Sequence, residues 1–263
     1  MSARKGTAYT VGFAGAVCVV CSILVSVSAV SLRDRQERNQ LLDRKKNVLL
    51  AAGLLGEDEQ PTPDAIEARY EEHVHARVIE RATGRPVDGV DPAEFDQQLA
   101  AQDPARSEAA PANRASVQRL PDRLLVYEVG PGETVEMYVL PVHGKGLWST
   151  MYGYLALDDD TTTVRGIAFY QHGETPGLGG EIENPKWRAS WPGRRVFDES
   201  WAPVIEVIKG AAGPVGEAPH QVDGLSGATL TANGVTHLVR FWAGEHGYGP
   251  FLSRVRGEEG GGS

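Results

Sequence analysis

Three short segments carry residue types that could do chemistry. The first is Asp223-Gly224-Leu225-Ser226-Gly227-Ala228-Thr229-Leu230-Thr231, where a loop enters an apolar-periodic run. The first turn of a helix offers free N–H groups and the positive end of its dipole. Gly224 and Gly227 admit a ligand close to the backbone, and Ala228 adds little bulk. The hydroxyls of Ser226 and Thr229 bracket the helix start, a combination that suits a phosphate. No Gly-Lys-Ser/Thr follows, so the segment is not a Walker loop. The same residues also read as a plain helix cap, and the segment alone leaves both readings open. The second segment is Tyr170-Gln-His172-Gly-Glu174-Thr175-Pro176-Gly177-Leu178-Gly179-Gly180. Its glycines and proline fix an unusual backbone and expose N–H groups. A planar ligand could lie against it, with His172, Glu174 or Thr175 as hydrogen-bond partners. A structural turn between sheet and helix is the competing reading. No nucleophile stands beside His172 and Glu174, which argues against hydrolysis. The third segment, Gly144-Lys-Gly-Leu147-Trp148-Ser-Thr150-Met151-Tyr-Gly153-Tyr154, mixes glycines with large rings. Trp148 or Tyr154 could stack on a flavin or a sugar, or simply fill a core.

Elements of ordinary kinds must position these segments. The chain has 263 residues, with 26 Lys+Arg against 35 Asp+Glu and a net charge of −9. That balance lacks the footprint of a nucleic-acid binder, and no nucleic-acid partner is expected. An uncharged run lies between Lys5 and Arg33, longer than the roughly 20 apolar residues a bilayer needs. It reads as a transmembrane helix. The rival, a cleaved signal peptide ending at Val27-Ser28-Ala29, has an apolar stretch too long for the usual h-region. Cys18 and Cys21 lie inside the run. With Ala14, Ser22 and Ser26 spaced by four, Cys18 forms a face of small side chains that suits a neighbouring membrane helix better than a metal or redox pair. Basic residues are more numerous after the run than before it, which by charge count alone favours an outside N-terminus.

Beyond the anchor, residues 31–53 read as a charged helix with an apolar edge through Leu41, Leu42, Val48, Leu49 and Leu50, ended by Gly53 and Gly56. A second helix begins at Thr62-Pro63-Asp64, with N-cap, N1 proline and first-turn acid in order. Ile66, Tyr70, Val74 and Val78 predict one helical face, with Gly84 as the stop. Residues 102–119 are polar and Ala/Pro-rich and read as a surface excursion. Four strands follow in 123–129, 135–142, 149–158 and 162–171, separated by turn signals at 130–132, 143–146 and 158–160. A further short strand is expected at 205–208. The last helix is predicted from Thr229 to His246 with Gly247 as its stop. The fold class is α+β: a single N-terminal transmembrane helix, then one soluble domain with an antiparallel sheet and flanking helices. The expected division is 1–32 anchor, 33–60 membrane-proximal helix and linker, 61–255 soluble domain and 256–263 disordered tail.

Together the three segments resemble the C subunit of the Na+-translocating NADH:quinone reductases and, less closely, the G subunit of the Rnf electron-transport complex. Ser226-Gly227-Ala228-Thr229, preceded by Asp223 and followed by Thr231, is similar to that family's flavinylation site. His172-Gly-Glu-Thr-Pro-Gly-Leu-Gly is similar to its flavin loop, and Gly146-Leu-Trp-Ser-Thr-Met-Tyr-Gly to its aromatic segment. Residues 179–187 and the anchor region (Gln36, Asn39, Leu42-Asp43-Arg44, Asn47 to Gly53) look more like the quinone-reductase protein than the Rnf one. The resemblance implies an FMN joined through its phosphate to Thr229. Its expected neighbours are Asp223, Ser226, Gly227, Ala228, Thr231, His172, Glu174, Thr175, Gly177, Leu178, Gly179, Leu147 and Trp148. Lys209 stands as a point charge for the phosphate, which would also gain from the helix N-terminus. No metal and no catalytic residue is expected. The implied role is electron transfer inside a membrane complex that oxidises NADH, reduces ubiquinone and exports Na+. The implied partners are the other subunits and a flavin transferase, since nothing in this chain suggests self-flavinylation. The implied location is a bacterial inner membrane, with a cytoplasmic N-terminus and a periplasmic domain, against the charge count. No Gly-x-Gly-x-x-Gly follows a strand, so NADH and quinone sites are expected on partners. Alternatives are an Rnf-type G subunit, or a membrane-anchored assembly module without a cofactor.

Overall fold

The computed structural model describes residues 6–56, 59–132 and 134–260. The chain divides after Asp43 into two compact units. Helix α1, Thr7–Ala51, runs through that boundary without a break. Its segment Tyr9–Arg33 is 25 residues long and apolar enough to cross a membrane. Cys18 and Cys21 are exposed, free thiols on it. The charged helix expected at 31–53 is therefore the continuation of the anchor. It ends at Ala51, and Gly53 turns the chain at φ +70°. From Arg44 onward it belongs to the second unit, where Val48, Leu49 and Ala51 are wholly buried. Ala51 lies over Gly166, where a Cβ would stand 2.5 Å from the Ala51 carbonyl oxygen.

The second unit is built on one five-stranded antiparallel sheet. Its strands are β1 Val74–Glu80, β4 Arg123–Val129, β5 Met137–Lys145, β6 Thr150–Asp158 and β7 Val164–Gln171, in the order β1-β4-β5-β6-β7. The four strands expected from sequence are present. The fifth, β1, overturns part of the second predicted helix. Helix α2 spans Pro63–His73 with Thr62 as its N-cap, and the chain passes straight from it into β1. Val74 and Val78 are four apart, a spacing that puts them on one face of a strand as well as of a helix. Pairing with β4, from Val74↔Val129 to Glu80↔Arg123, decides for the strand. Gly84, expected to stop a helix, instead turns the chain after β1 at φ +67°.

Both sheet faces are covered, so β4 buries nearly every side chain. Leu124, Val126, Leu140 and Leu155 join α5 (Thr229–Ala243) in the main core, through Val235, Leu238 and Val239. Leu125, Tyr127, Val139 and Tyr154 are also buried but alternate to the other face, which holds Val48, Leu49 and Ile66. The predicted turn at 143–146 starts too early, because β5 pairs with β6 out to Lys145↔Thr150. The segment 102–119 is more than an excursion. After the short helix α3, Gln97–Gln102, it contributes β2 Ser107–Ala109, paired with β3 Arg119–Pro121, and it buries Ala115 and Val117. Glu206–Val207 (β8) does form a strand, but in a separate two-stranded parallel pair with Gln221–Val222 (β9).

The C-terminal end also differs from expectation. Helix α5 stops at Ala243, capped by Gly244, whose N–H donates to the carbonyls of Arg240 and Phe241. Gly247 lies in the reversal after the stop, where a Cβ would meet the Trp242 carbonyl oxygen at 2.3 Å. A further helix α6, Gly249–Gly260, follows. Phe251, Leu252 and Val255 of α6 are buried in the main core. The helix runs on through 256–260, part of the stretch that composition alone reads as a disordered tail; residues 261–263 lie outside the described chain.

Candidate functional site

The three chemistry-bearing segments, far apart in sequence, meet at one end of the sheet. The loop after β5 carries Leu147 and Trp148, and the loop after β7 carries His172–Gly179 and leads into a 3-10 turn at Gly179–Glu183. Helix α4 (Pro185–Arg188) follows. Thr229 is the first residue of α5.

Local structure explains why α5 starts where it does. Gly227 adopts φ +71°, a left-handed conformation that admits glycine readily. A Cβ there would lie 2.9 Å from Leu178 Cδ2, so Leu178 of the second segment packs directly on the first. Gly224 threads a tight passage, with Ile208 O 2.2 Å from a virtual Cβ. Ala228 is the N-cap residue and supplies no side-chain hydrogen bond. The N–H groups of the first turn, which have no partner within a helix, are therefore left without a side-chain cap. Thr229 is exposed beside them. Thr229, Ser226, Gly227 and Lys209 line one cleft of about 510 Å3. That size falls in the range of roughly 300–1,000 Å3 typical of cofactor sites.

The three segments also carry exposed apolar side chains that a water-facing surface does not need. Leu147 is 42% exposed, Trp148 65%, Leu178 43% and Leu230 61%. The family resemblance points to the first three. It passes over Leu230, whose signal is an apolar residue on the polar side of a helix's first turn, beside Thr229.

Glu174 joins all three segments. It is 5% exposed. Oε1 accepts N–H bonds from Trp148 (2.9 Å) and Ser149 (3.2 Å). Oε2 accepts from the Leu147 N–H (3.2 Å) and the Thr231 hydroxyl (2.6 Å). Burial pushes its pKa up, but the Thr231 hydroxyl and the three amides outweigh that and hold it below the ordinary glutamate value. The expectation that Glu174 and Thr231 offer hydrogen bonds to a ligand meets a different arrangement: they bond to each other and to the main chain. His172 Nδ1 accepts the Glu174 N–H at 3.1 Å. Its Nε2 lies 2.8 Å from Glu183 Oε1 but outside hydrogen-bonding geometry. Asp223 too is engaged within the protein, accepting from the Ala212 N–H through Oδ1 (2.7 Å) and from Trp187 Nε1 through its carbonyl (2.8 Å). Thr175 and Gly177 are exposed on the loop, and Thr175 O accepts the N–H groups of Leu178 and Gly180. Among the described residues no group of His, Cys, Asp or Glu forms a metal-binding cluster.

The site's composition fits a phosphorylated planar cofactor: anion-binding N–H groups and a lysine at one end, apolar side chains beside them. Comparison with known proteins agrees. The family model described as FMN-binding domain matches residues 146–244, which take in the first two segments and all of the third but Gly144 and Lys145. The C subunit of the Na(+)-translocating NADH-quinone reductase of Vibrio vulnificus is 44% identical over 97% of this chain and 98% of that protein. Its counterpart in Pseudomonas aeruginosa is 43% identical over the same shares. The crystal structure of Shewanella oneidensis NqrC superposes with a TM-score of 0.76 at 29% identity, covering 85% of this chain and 99% of that one.

Proposed function

Because the chain belongs to the NqrC family, the C subunits of Na+-translocating NADH-quinone reductases, we propose that it is the flavin-bearing electron-transfer member of such a complex, with FMN joined through a phosphoester to Thr229. The observation that carries this reading is the exposed Thr229 hydroxyl on an uncapped helix N-terminus, in one cleft with Lys209. A phosphodiester there keeps one negative charge. The first-turn N–H groups and the Lys209 ammonium offset it, an effect worth roughly 0.3–1 kcal/mol at an exposed helix end. When bound, the flavin supplies one- and two-electron redox chemistry. The residues of this chain bind and orient it. Leu147, Trp148, Leu178 and Leu230 cover its apolar surface, and the glycines at 177 and 227 let backbone approach.

A covalent tether makes the flavin a fixed relay rather than a dissociable cosubstrate. This suits a protein that hands electrons between redox groups of a larger complex, which for the named relatives is an NADH-quinone reductase that moves Na+. The anchor Tyr9–Arg33 holds the chain in the bacterial inner membrane with the flavin domain on the periplasmic side. A flavin transferase attaches the FMN. The test is the intact mass of the full chain expressed with a flavin transferase, followed by peptide mapping. A gain of one FMN less water on Thr229 supports the reading. An unmodified chain overturns it and leaves the glycine-rich loop as a helix cap.

A further inference from the structure

We propose that Glu174 is a positioning residue whose carboxylate clamps the three loops into a flavin platform before any flavin arrives, and that it makes no contact with the flavin itself. The proposal rests on the FMN reading of the site and assigns Glu174 a different part from the direct one expected of it.

A carboxylate has about four lone-pair positions, and Glu174 fills them with four donors from two other segments. A flavin atom could reach it only by displacing one. The chain is cut away to make room for it. A Cβ on Gly146 would lie 2.5 Å from Glu174 Oε1. A Cβ on Gly179 would lie 2.9 Å from Oε2 and 2.6 Å from Thr231 Oγ1. Neither glycine has a positive φ, so neither is needed for backbone conformation. They are needed because the carboxylate passes there. All four donors are neutral. Among the described residues no charged side chain hydrogen-bonds the carboxylate: His172 Nδ1 accepts the Glu174 N–H, its Nε2 stands near Glu183 Oε1 without bonding it, and Lys145 Nζ donates to the Trp148 carbonyl. Among the described residues the carboxylate is thus held by neutral donors, with no cation bonded to it, and its negative charge disfavours adding electrons to a flavin above it.

Glu174→Gln and Glu174→Ala separate shape from charge. A glutamine can keep the Trp148 and Ser149 bonds through its oxygen and donate its NH2 to the Thr231 hydroxyl, which then accepts. It keeps most of the shape and loses the charge. Alanine loses both. The full chain is prepared with and without a flavin transferase. In the chain prepared without it, hydrogen exchange at the Leu147, Trp148 and Ser149 amides is expected to accelerate at least tenfold in Glu174→Ala. In Glu174→Gln, only the Leu147 amide should lose protection. In the flavinylated protein, Glu174→Gln is expected to load FMN to the wild-type extent by intact mass and to show a raised midpoint potential. Unchanged exchange in Glu174→Ala overturns the clamp. An unchanged potential at full loading overturns the electrostatic part. Loss of loading in Glu174→Gln with amides 148 and 149 still protected means direct contact with the flavin, and overturns the proposal as a whole. A wild-type chain that gains no FMN defeats the FMN reading instead, while the exchange result still decides the clamp. Should Glu174→Ala not fold, Gly146→Ala displaces the same carboxylate and is expected to deprotect the same amides.

Discussion

Replacing Thr231 by valine removes one oxygen from the centre of the site and little else. Thr231 is 1% exposed, and its hydroxyl donates to Glu174 Oε2 at 2.6 Å. Valine has the same shape, so no cavity opens. What is lost is a buried hydrogen bond to a charged acceptor, worth about 1.5–3 kcal/mol. For a domain of this size each kcal/mol moves the melting temperature by roughly 2–4 °C. The expected loss is therefore about 3–12 °C at pH 7, read by thermal unfolding of the full chain in detergent, prepared without a flavin transferase. The deficit should depend on pH. The folded-state pKa of Glu174 is depressed, so its stabilisation is present above the unfolded value of about 4.3 and is lost as pH falls through the folded value. Losing the Thr231 donor returns the folded pKa toward normal. The gap between wild type and variant should thus be full at pH 7 and close on acidification. Thr175→Val, at an exposed position of the same loop, serves as the control and should shift by less than 1 °C. A Thr231→Val gap below 1 °C at pH 7, or one that stays constant as pH falls, would refute the ionised clamp.

Other outcomes follow from the same geometry. Thr229→Ala should abolish the flavin band that survives denaturing electrophoresis while leaving the melting temperature within about 2 °C; a fluorescent band in that variant would show attachment elsewhere. Lys209→Ala should slow flavinylation at low salt, with the difference from wild type shrinking near 1 M salt, where screening reaches about 3 Å; a salt-independent difference would rule out a point-charge role. Gly84→Ala should destabilise by more than about 2 kcal/mol, because an L side chain at φ +67° is strained and its Cβ would sit 2.4 Å from Phe251 Cα on α6; melting temperature reads this directly. Burial lowers the pKa of His143 to about 4, so the unfolded chain takes up a proton first and stability falls as pH drops from about 6.5 toward 4. His143→Phe should flatten that part of the stability profile between pH 7 and 4.5.

Features whose signal is local are legible in the amino-acid order alone. The anchor is one, because an uncharged run of that length has few other uses. The four strands β4–β7 show in alternation and turn residues, and the start of α5 in the small residues ahead of Thr229. The family was legible because three weak motifs occur together and in order. Long-range packing settled the rest. Spacing by four at Val74 and Val78 satisfies a strand as well as a helix, and only the β4 edge could choose. The polar, glycine-rich C-terminus gives no local signal for a helix, yet Phe251, Leu252 and Val255 find a core to enter. Glu174 shows the same limit within the site. Its residue type and loop placed it near a ligand, but its true partners lie 25 to 57 residues away in sequence. A carboxylate's role is set by which donors fill its lone pairs, and those donors are brought to Glu174 by the packing of α5 against the sheet.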